Sequence, residues 1–387
     1  MKFATKAVHA GVEPDPSTGA IMTPIYQTST YVQAGPGDHQ GYEYARTQNP
    51  TRTALENALA ALENGRFASC FGSGMAAIDT ILKLLQPGDE VISTNDLYGG
   101  TYRVFTKVFE PFGIKFNFID LSDLDNLEAA ITPQTKLLWL ETPTNPLIRI
   151  IDIAGACEIA HQHGIKVVTD NTFSSPALQN PLDLGSDMVM HSITKFIAGH
   201  SDVVMGCVIT NDEEDHARIR FLQNSCGAVP GPQDCFLVLR GIKTLHLRMK
   251  AHSENGQQVA HFLKAHPKVE QVNWPGFEDH PSYEIAARQM KAFGGMVSFT
   301  LKGDQMDDAL QVLKGTQLFA LAESLGGVES LIGHPASMTH ASIPANERQR
   351  AGLKDTLIRL SVGIEDGDDL VADLAQAIDR VSVAQPA

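Results

Sequence analysis

The chain has 387 residues, room for two domains at about 100–200 residues each, and its 43% hydrophobic, 7% aromatic and 19% charged residues form an ordinary globular composition that can bury a large core. A formal net charge of −15 repels phosphate backbones and anionic membranes, which argues against nucleic-acid and membrane-surface partners. The five cysteines (Cys70, Cys157, Cys207, Cys226 and Cys235) are odd in number and form no CxxC pair, so neither a disulfide framework nor a zinc site is expected, and a reducing, cytoplasmic compartment is.

The N-terminal residues Met1–Thr5 run into polar, Pro-containing sequence without an apolar h-region, so no signal peptide is expected. No apolar stretch reaches the roughly 18 residues of a membrane span. Residues 1–48 are rich in Gly, Pro, Thr and Gln and read as an irregular arm, which a neighbouring subunit could hold in place.

From Thr51 to Leu62 apolar residues recur at helical spacing: Ala54, Leu55, Ala58, Leu59 and Leu62. Phe71-Gly72-Ser73-Gly74 follows, then a second helical pattern through Met75, Ile78, Ile81, Leu82 and Leu85 that Pro87-Gly88 stops. Glu90–Ser93, Thr135–Glu141 and Ile165–Asp170 read as strands, with a helix from Asp152 to His163 between the last two. A strand–helix–strand unit means a parallel sheet. Asp187–Ser192 and Val203–Thr210 are further strands.

Beyond Lys243 the pattern changes. A long helix over Leu245–Ala265 precedes strands at Met296–Leu301 and Thr356–Val362, and a last helix runs from Glu365 to Ser382 with Leu370, Leu374 and Ile378 inward. The expected organisation is an arm (1–48), an α/β domain (49–244) and a smaller α+β domain (245–387).

Asp170 ends an apolar strand, where open α/β sheets present ligand groups. Alone, such a residue usually caps a turn. The segment His191-Ser192-Ile193-Thr194-Lys195 follows the next strand and brings two hydroxyls and a lysine to the same sheet edge. A lone loop lysine is usually a solvated charge. The pair is more specific, because an aldehyde cofactor needs a lysine for its Schiff base and a carboxylate to keep a pyridine nitrogen protonated. Gly72-Ser73-Gly74-Met75 opens a helix, so free amides and the helix dipole would face an anion, with Ser192 and Thr194 as further donors.

Taken together, these segments resemble the cystathionine γ-lyase/γ-synthase family of pyridoxal-phosphate enzymes, which has the aspartate-aminotransferase fold. The likeness runs from residue 6 to residue 380. The motifs are YARTQNPTR (44–52), FGSGMAA (71–77), DLYGGTYR (96–103), ETPTNP (141–146), VTDNTFSSP (168–176) and HSITKFIAGHSDVVMG (191–206). AESLGGVESL (322–331), HPASMTHAS (334–342) and IRLSVGIED (358–366) complete the set. The resemblance implies a fold-type-I, three-layer α/β/α domain with a mostly parallel sheet. Pyridoxal 5'-phosphate is the implied cofactor, with no metal.

The family's roles map onto this sequence as follows. Lys195 is the cofactor-bearing lysine and mobile acid/base, Asp170 the partner of the pyridinium nitrogen, and Tyr98 the residue stacked on the ring. Gly74, Met75, Ser192 and Thr194 hold the phosphate. Tyr44 and Arg46 reach the site of a neighbouring subunit, implying a homodimer with shared sites or a tetramer. Arg359, with Asn145 and Ser324, takes the substrate α-carboxylate; Arg46, Tyr98, Arg103 and Glu323 lie near the rest of the substrate. Singly, Tyr98 beside two glycines, Arg359 in a strand and Glu323 before a turn each have a plain structural reading.

The implied reaction is γ-elimination of the amino-acid substrate L-cystathionine to cysteine, 2-oxobutanoate and ammonia. γ-Replacement of an O-acylhomoserine by cysteine shares nearly every residue. YRVFTKVF (102–109) and the stretch 221–249 look more like the lyase. Methionine γ-lyase is disfavoured by Gly100, where that enzyme typically has cysteine, and by Glu323; β-elimination stays open.

Overall fold

The computed structural model describes residues 1–341 and 344–382. Ser342, the last residue of HPASMTHAS, and residues 383–387 of the C-terminal region lie outside the described residues.

Seven strands form the first sheet: β1 (Phe67–Phe71), β2 (Glu90–Thr94), β3 (Lys115–Ile119), β4 (Thr135–Glu141), β5 (Lys166–Asp170), β6 (Met188–Ser192) and β7 (Gly206–Thr210). Their order is β1-β7-β6-β5-β4-β2-β3. β7 pairs antiparallel with both neighbours, while the pairs from β6 to β3 are parallel. The sheet is buried on both faces, which explains the unbroken apolar runs of its central strands. In β4 every residue but Lys136 is buried. Leu138 and Leu140 pack with Ile153, Ala156 and Ala160 on one side, and Leu137 and Trp139 with Ile78 and Ile81 on the other. Each such leucine contributes about 2–3 kcal/mol through burial.

The flanking helices start where the sequence supplies caps. α2 (Pro50–Leu62) has Pro at its first position and the Asn49 side chain accepting from the amides of Thr51 and Arg52. α3 (Gly74–Leu82) is capped by Ser73, whose Oγ accepts from Ala76 N at 3.0 Å. The helix Ile153–Gln162 is capped by Asp152.

A second, five-stranded sheet contains β8 (Val269–Asn273), β9 (Met296–Leu301), β10 (Ala320–Leu321), β11 (Leu331–Gly333) and β12 (Ile358–Ser361), in the order β10-β11-β12-β9-β8. It is antiparallel apart from the β10–β11 pair. Val259, Ala260 and Leu263 of the helix Leu245–Ala265 share its core with Leu370, Leu374 and Ile378 of the helix Gly367–Asp379. No described helix is long and apolar enough to cross a membrane.

The arm departs from expectation at its start. α1 (Phe3–His9) is a helix, with Ala7 buried against Ala54, Leu55 and Ala58 of α2. The chain leaves it at Gly11 (φ 72°), where a Cβ would lie 2.4 Å from Ala54 O, so only glycine permits the approach. The remainder of residues 1–48 is irregular, with isolated bridges between Thr30 and Tyr44 and between Gly35 and Asp38.

Candidate active site

The C-terminal ends of β1, β2, β4, β5 and β6 open on one edge of the first sheet, where α/β folds place ligands. Ser73, Gly74, Met75, Tyr98, Glu141, Asn145, Asp170, Thr172, Ser192, Thr194 and Lys195 line a cavity there of about 270 Å³. Glu323, Ser324, Thr339 and Arg359, from the part of the chain that builds the second sheet, close it. A larger cleft of about 420 Å³ runs past Arg149, Lys264 and Asp279, but these charges are already paired, Arg149 with Asp120 and Lys264 with Asp279.

Lys195 follows the end of β6, and its Nζ donates to Ser324 Oγ at 2.7 Å. Burial and, next, the charge of Arg359 hold its ammonium down to about 8, with Glu323 opposing. A lysine so placed releases a nucleophilic, basic amine near neutral pH.

Asp170 Oδ1 accepts from Thr172 N at 3.0 Å and from Thr172 Oγ1 at 2.5 Å. Thr172 Oγ1 itself accepts from Ser192 N at 2.9 Å, which aims its hydrogen at Asp170. Asp170 Oδ2 has no hydrogen-bond partner among the described residues. Burial raises the Asp170 carboxyl, while the Thr172 bonds and the nearby His191 oppose the rise. Its register partner across β4 is Glu141, whose carboxyl burial and Asp170 push well up. Two buried carboxyls side by side, one with a free oxygen, suit a cationic ring nitrogen.

At the other end, Gly74 and Met75 are the first residues of α3, whose opening amides have no intrahelical acceptor. A Cβ on Gly74 would lie 3.0 Å from Ser192 Cβ, so the helix start and the Ser192 hydroxyl meet only because residue 74 is glycine. Thr194 lines the cavity, yet its hydroxyl donates to Met205 O at 3.2 Å and accepts from Met205 N at 3.0 Å, so its hydrogen is already engaged. Free amides and a hydroxyl at one end, a lysine in the wall and a carboxylate at the far end match the phosphate, aldehyde and ring nitrogen of pyridoxal phosphate.

Arg359 lies in β12, buried, and donates to Asn145 Oδ1 at 3.0 Å and to Ser324 O at 2.9 Å. Burial lowers it to about 10. Its ligands are neutral oxygens, which leaves a buried guanidinium able to take a carboxylate. Ser324 has φ 97°, and the loop continues through Gly326 (φ 77°), where a Cβ would sit 2.6 Å from Phe196 N.

Tyr98 N donates to Glu141 Oε2 at 3.0 Å. The Tyr98 ring folds over Gly100, where a Cβ would be 2.4 Å away. Burial raises its phenol, against the charge of Arg103.

Three expected residues do not line the cavity. Arg103 is exposed on α4 (Gly99–Val104). Tyr44 and Arg46 are exposed in the arm, with the Arg46 guanidinium 5.6 Å over the Tyr44 ring and its Nη1 donating to Asn224 O at 2.8 Å. Conversely, Glu141 and Thr172 belong to the cavity and were not picked out from the sequence, although both lie in motifs that were. Among the described residues no group of three or more His, Cys, Asp and Glu side chains could hold a metal ion.

Residues 4–379 match the profile of the family described as Cys/Met metabolism PLP-dependent enzyme. A cystathionine gamma-lyase of Dictyostelium discoideum is 55% identical over 380 residues, covering 98% of each chain. A cystathionine gamma-synthase of Mycobacterium bovis is 55% identical over 97% of this chain and 96% of its own, and a cystathionine beta-lyase of Coxiella burnetii 53% identical over 97% of each. The crystal structure of cystathionine gamma-lyase from Lactobacillus plantarum complexed with L-serine superposes with a TM-score of 0.97 at 46% identity, covering 99% of this chain and 100% of that one. The chain is therefore a member of the Cys/Met-metabolism family of pyridoxal-phosphate-dependent enzymes, with the fold of the cystathionine lyases and synthases.

Proposed function

We propose that the protein is a cystathionine γ-lyase, working as a homo-oligomer with shared sites. The observation that carries the reading is the convergence of Lys195, Asp170 and Arg359 on one cavity. Lys195 would hold the aldehyde carbon of pyridoxal phosphate, Asp170 its ring nitrogen, Tyr98 its face, and Gly74, Met75 and Ser192 its phosphate, with Thr194 joining them by turning its hydroxyl hydrogen away from Met205 O. Bound there, the cofactor supplies an electron sink that acidifies protons on the substrate carbons next to its amino group.

Arg359 and Asn145 take the substrate α-carboxylate, and Ser324, bonded to both Lys195 and Arg359, keeps amine and guanidinium in register. With the cofactor bound, the Lys195 amine would take the proton from the α-carbon of L-cystathionine, give it up to the cofactor carbon that it had held, and, free again, take the β-proton. The Tyr98 hydroxyl protonates the departing γ-sulfur. Cysteine leaves, and water completes the release of 2-oxobutanoate and ammonia. Glu323 at the cavity wall faces the distal ammonium, and Arg103, whose charge acts on Tyr98, the distal carboxylate. Tyr44 and Arg46 complete the phosphate cradle of a second protomer.

The 55% identity to a cystathionine gamma-synthase favours γ-replacement as the second reading. The deciding experiment gives the purified holoenzyme L-cystathionine alone, then O-succinylhomoserine with cysteine. The lyase reading requires 2-oxobutanoate and cysteine in the first arm. Cystathionine formed faster in the second arm supports the synthase, and pyruvate in the first supports β-elimination.

A further inference from the structure

The segment His334–Ala341 touches the cavity through Thr339 but holds none of the roles above. Within it Met338 N donates to His334 O at 3.0 Å and His340 N to Pro335 O at 2.9 Å, so it is a compact turn. His340 is 2% exposed. Its Nε2 lies 3.2 Å from Leu97 O and 3.0 Å from Asn145 O. Carbonyls only accept, so Nε2 carries the proton and shares it between them. Nδ1, 2.8 Å from Thr339 Oγ1, then accepts from that hydroxyl. Leu97 precedes Tyr98, and Asn145 holds Arg359. A second contact bears on the same place: a Cβ on Gly99 would lie 2.2 Å from Thr339 O, so the backbone just after Tyr98 is seated directly on this turn. The other end of the turn is fixed by His334, whose Nε2 donates to Asp355 O at 2.5 Å, shortly before β12.

We infer that His340 is a positioning residue, a neutral imidazole that locks the loops carrying Tyr98 and Asn145 to one another and to the strand of Arg359. This rests on the proposed roles of Tyr98 and Arg359. Burial and the Arg359 charge hold the imidazole down to about 4, so the donor at Nε2 and the acceptor at Nδ1 persist across the working pH range. The two loops are also tied by Asp96, which accepts from Thr144 Oγ1 and from Leu147 N. Losing the imidazole therefore frees the carbonyls next to Tyr98 and within Asn145 while leaving the loops attached to the fold.

The test compares His340→Leu and His340→Gln in the holoenzyme, the Gln amide nitrogen being able to stand where Nε2 stands. His340→Leu should lower kcat/KM for L-cystathionine roughly 100-fold, the scale of a misplaced catalytic group. It should also quicken hydrogen exchange in peptides spanning 95–104 and 142–149. His340→Gln should recover most of both. A Leu variant within about threefold of wild type, with unchanged exchange, overturns the proposal. So does a Gln variant no better than Leu, which would make the imidazole a core filler. If Leu does not fold, the Gln variant decides alone, by near-normal or lost turnover and exchange. If wild-type enzyme leaves cystathionine intact, the proposed function fails, and the exchange data still decide the role of His340.

Discussion

Lys195 Nζ donates to Ser324 Oγ across 2.7 Å, joining the strand-end loop of the first sheet to the β10–β11 loop of the second. Ser324 holds a φ of 97°, a conformation that costs a side-chain residue about 1–3 kcal/mol. The same residue's carbonyl accepts from Arg359. A single strained residue thus touches both the amine and the guanidinium on which the proposed reaction depends.

The reactivity of Lys195 should report its surroundings. Only the free amine is nucleophilic, so in cofactor-free protein its labelling by trinitrobenzenesulfonate should rise about tenfold per pH unit and level off near the value of about 8 at which the ammonium dissociates. An ordinary lysine would keep rising to about 10.4. Because the Arg359 charge helps to lower Lys195, Arg359→Leu should move the plateau to higher pH. Peptide mass spectrometry of residue 195 measures both, and a wild-type plateau near 10 would contradict the assignment.

Asp170→Asn should separate stability from function. Asp170 and Glu141 both titrate above the usual carboxylate range when folded. Between the unfolded pKa, near 4, and the folded one, the folded chain binds more protons, so stability falls as pH rises through that window and stays lower above it. The substitution removes one member of the pair. Cofactor-free Asp170→Asn should therefore melt at or above the wild-type temperature at pH 7, while holoenzyme turnover drops roughly 10²–10³-fold. A lower melting temperature with full turnover would reverse the reading of this residue.

The exposed Tyr44 and Arg46 give a test of shared sites. Arg46→Ala and Lys195→Ala should each be inactive as pure proteins. Refolded together, they should regain up to about a quarter of wild-type turnover, because a symmetric dimer of unlike chains has one site lacking both lesions. No recovery in mixed oligomers would mean that each chain completes its own site.

Much of this architecture was readable residue by residue. β4, β9 and the helix Leu245–Ala265 occur at their expected bounds, because both-face burial and helical periodicity leave plain marks. β3 was missed although Phe116 and Phe118 alternate with Lys115 and Asn117; its exposed, half-buried character makes a short signal. α1 was missed because two helical turns were outweighed by the prolines and glycines that follow. In the site, Lys195 and Asp170 stood out because each adjoins a strand end within a motif. Glu141 did not, since its role depends on lying beside Asp170 across two strands. His340 and Ser324 Oγ depend likewise on contacts spanning more than a hundred residues of chain.

The residues proposed to seat the cofactor come from one sheet and Arg359 from the other. Harm confined to the smaller sheet, by a mild denaturant or a proteolytic nick, would spare the pigment's seat and abolish the grip on the amino acid. A vivid yellow preparation would then be no guarantee of competent enzyme, and visible absorbance would overcount the working molecules.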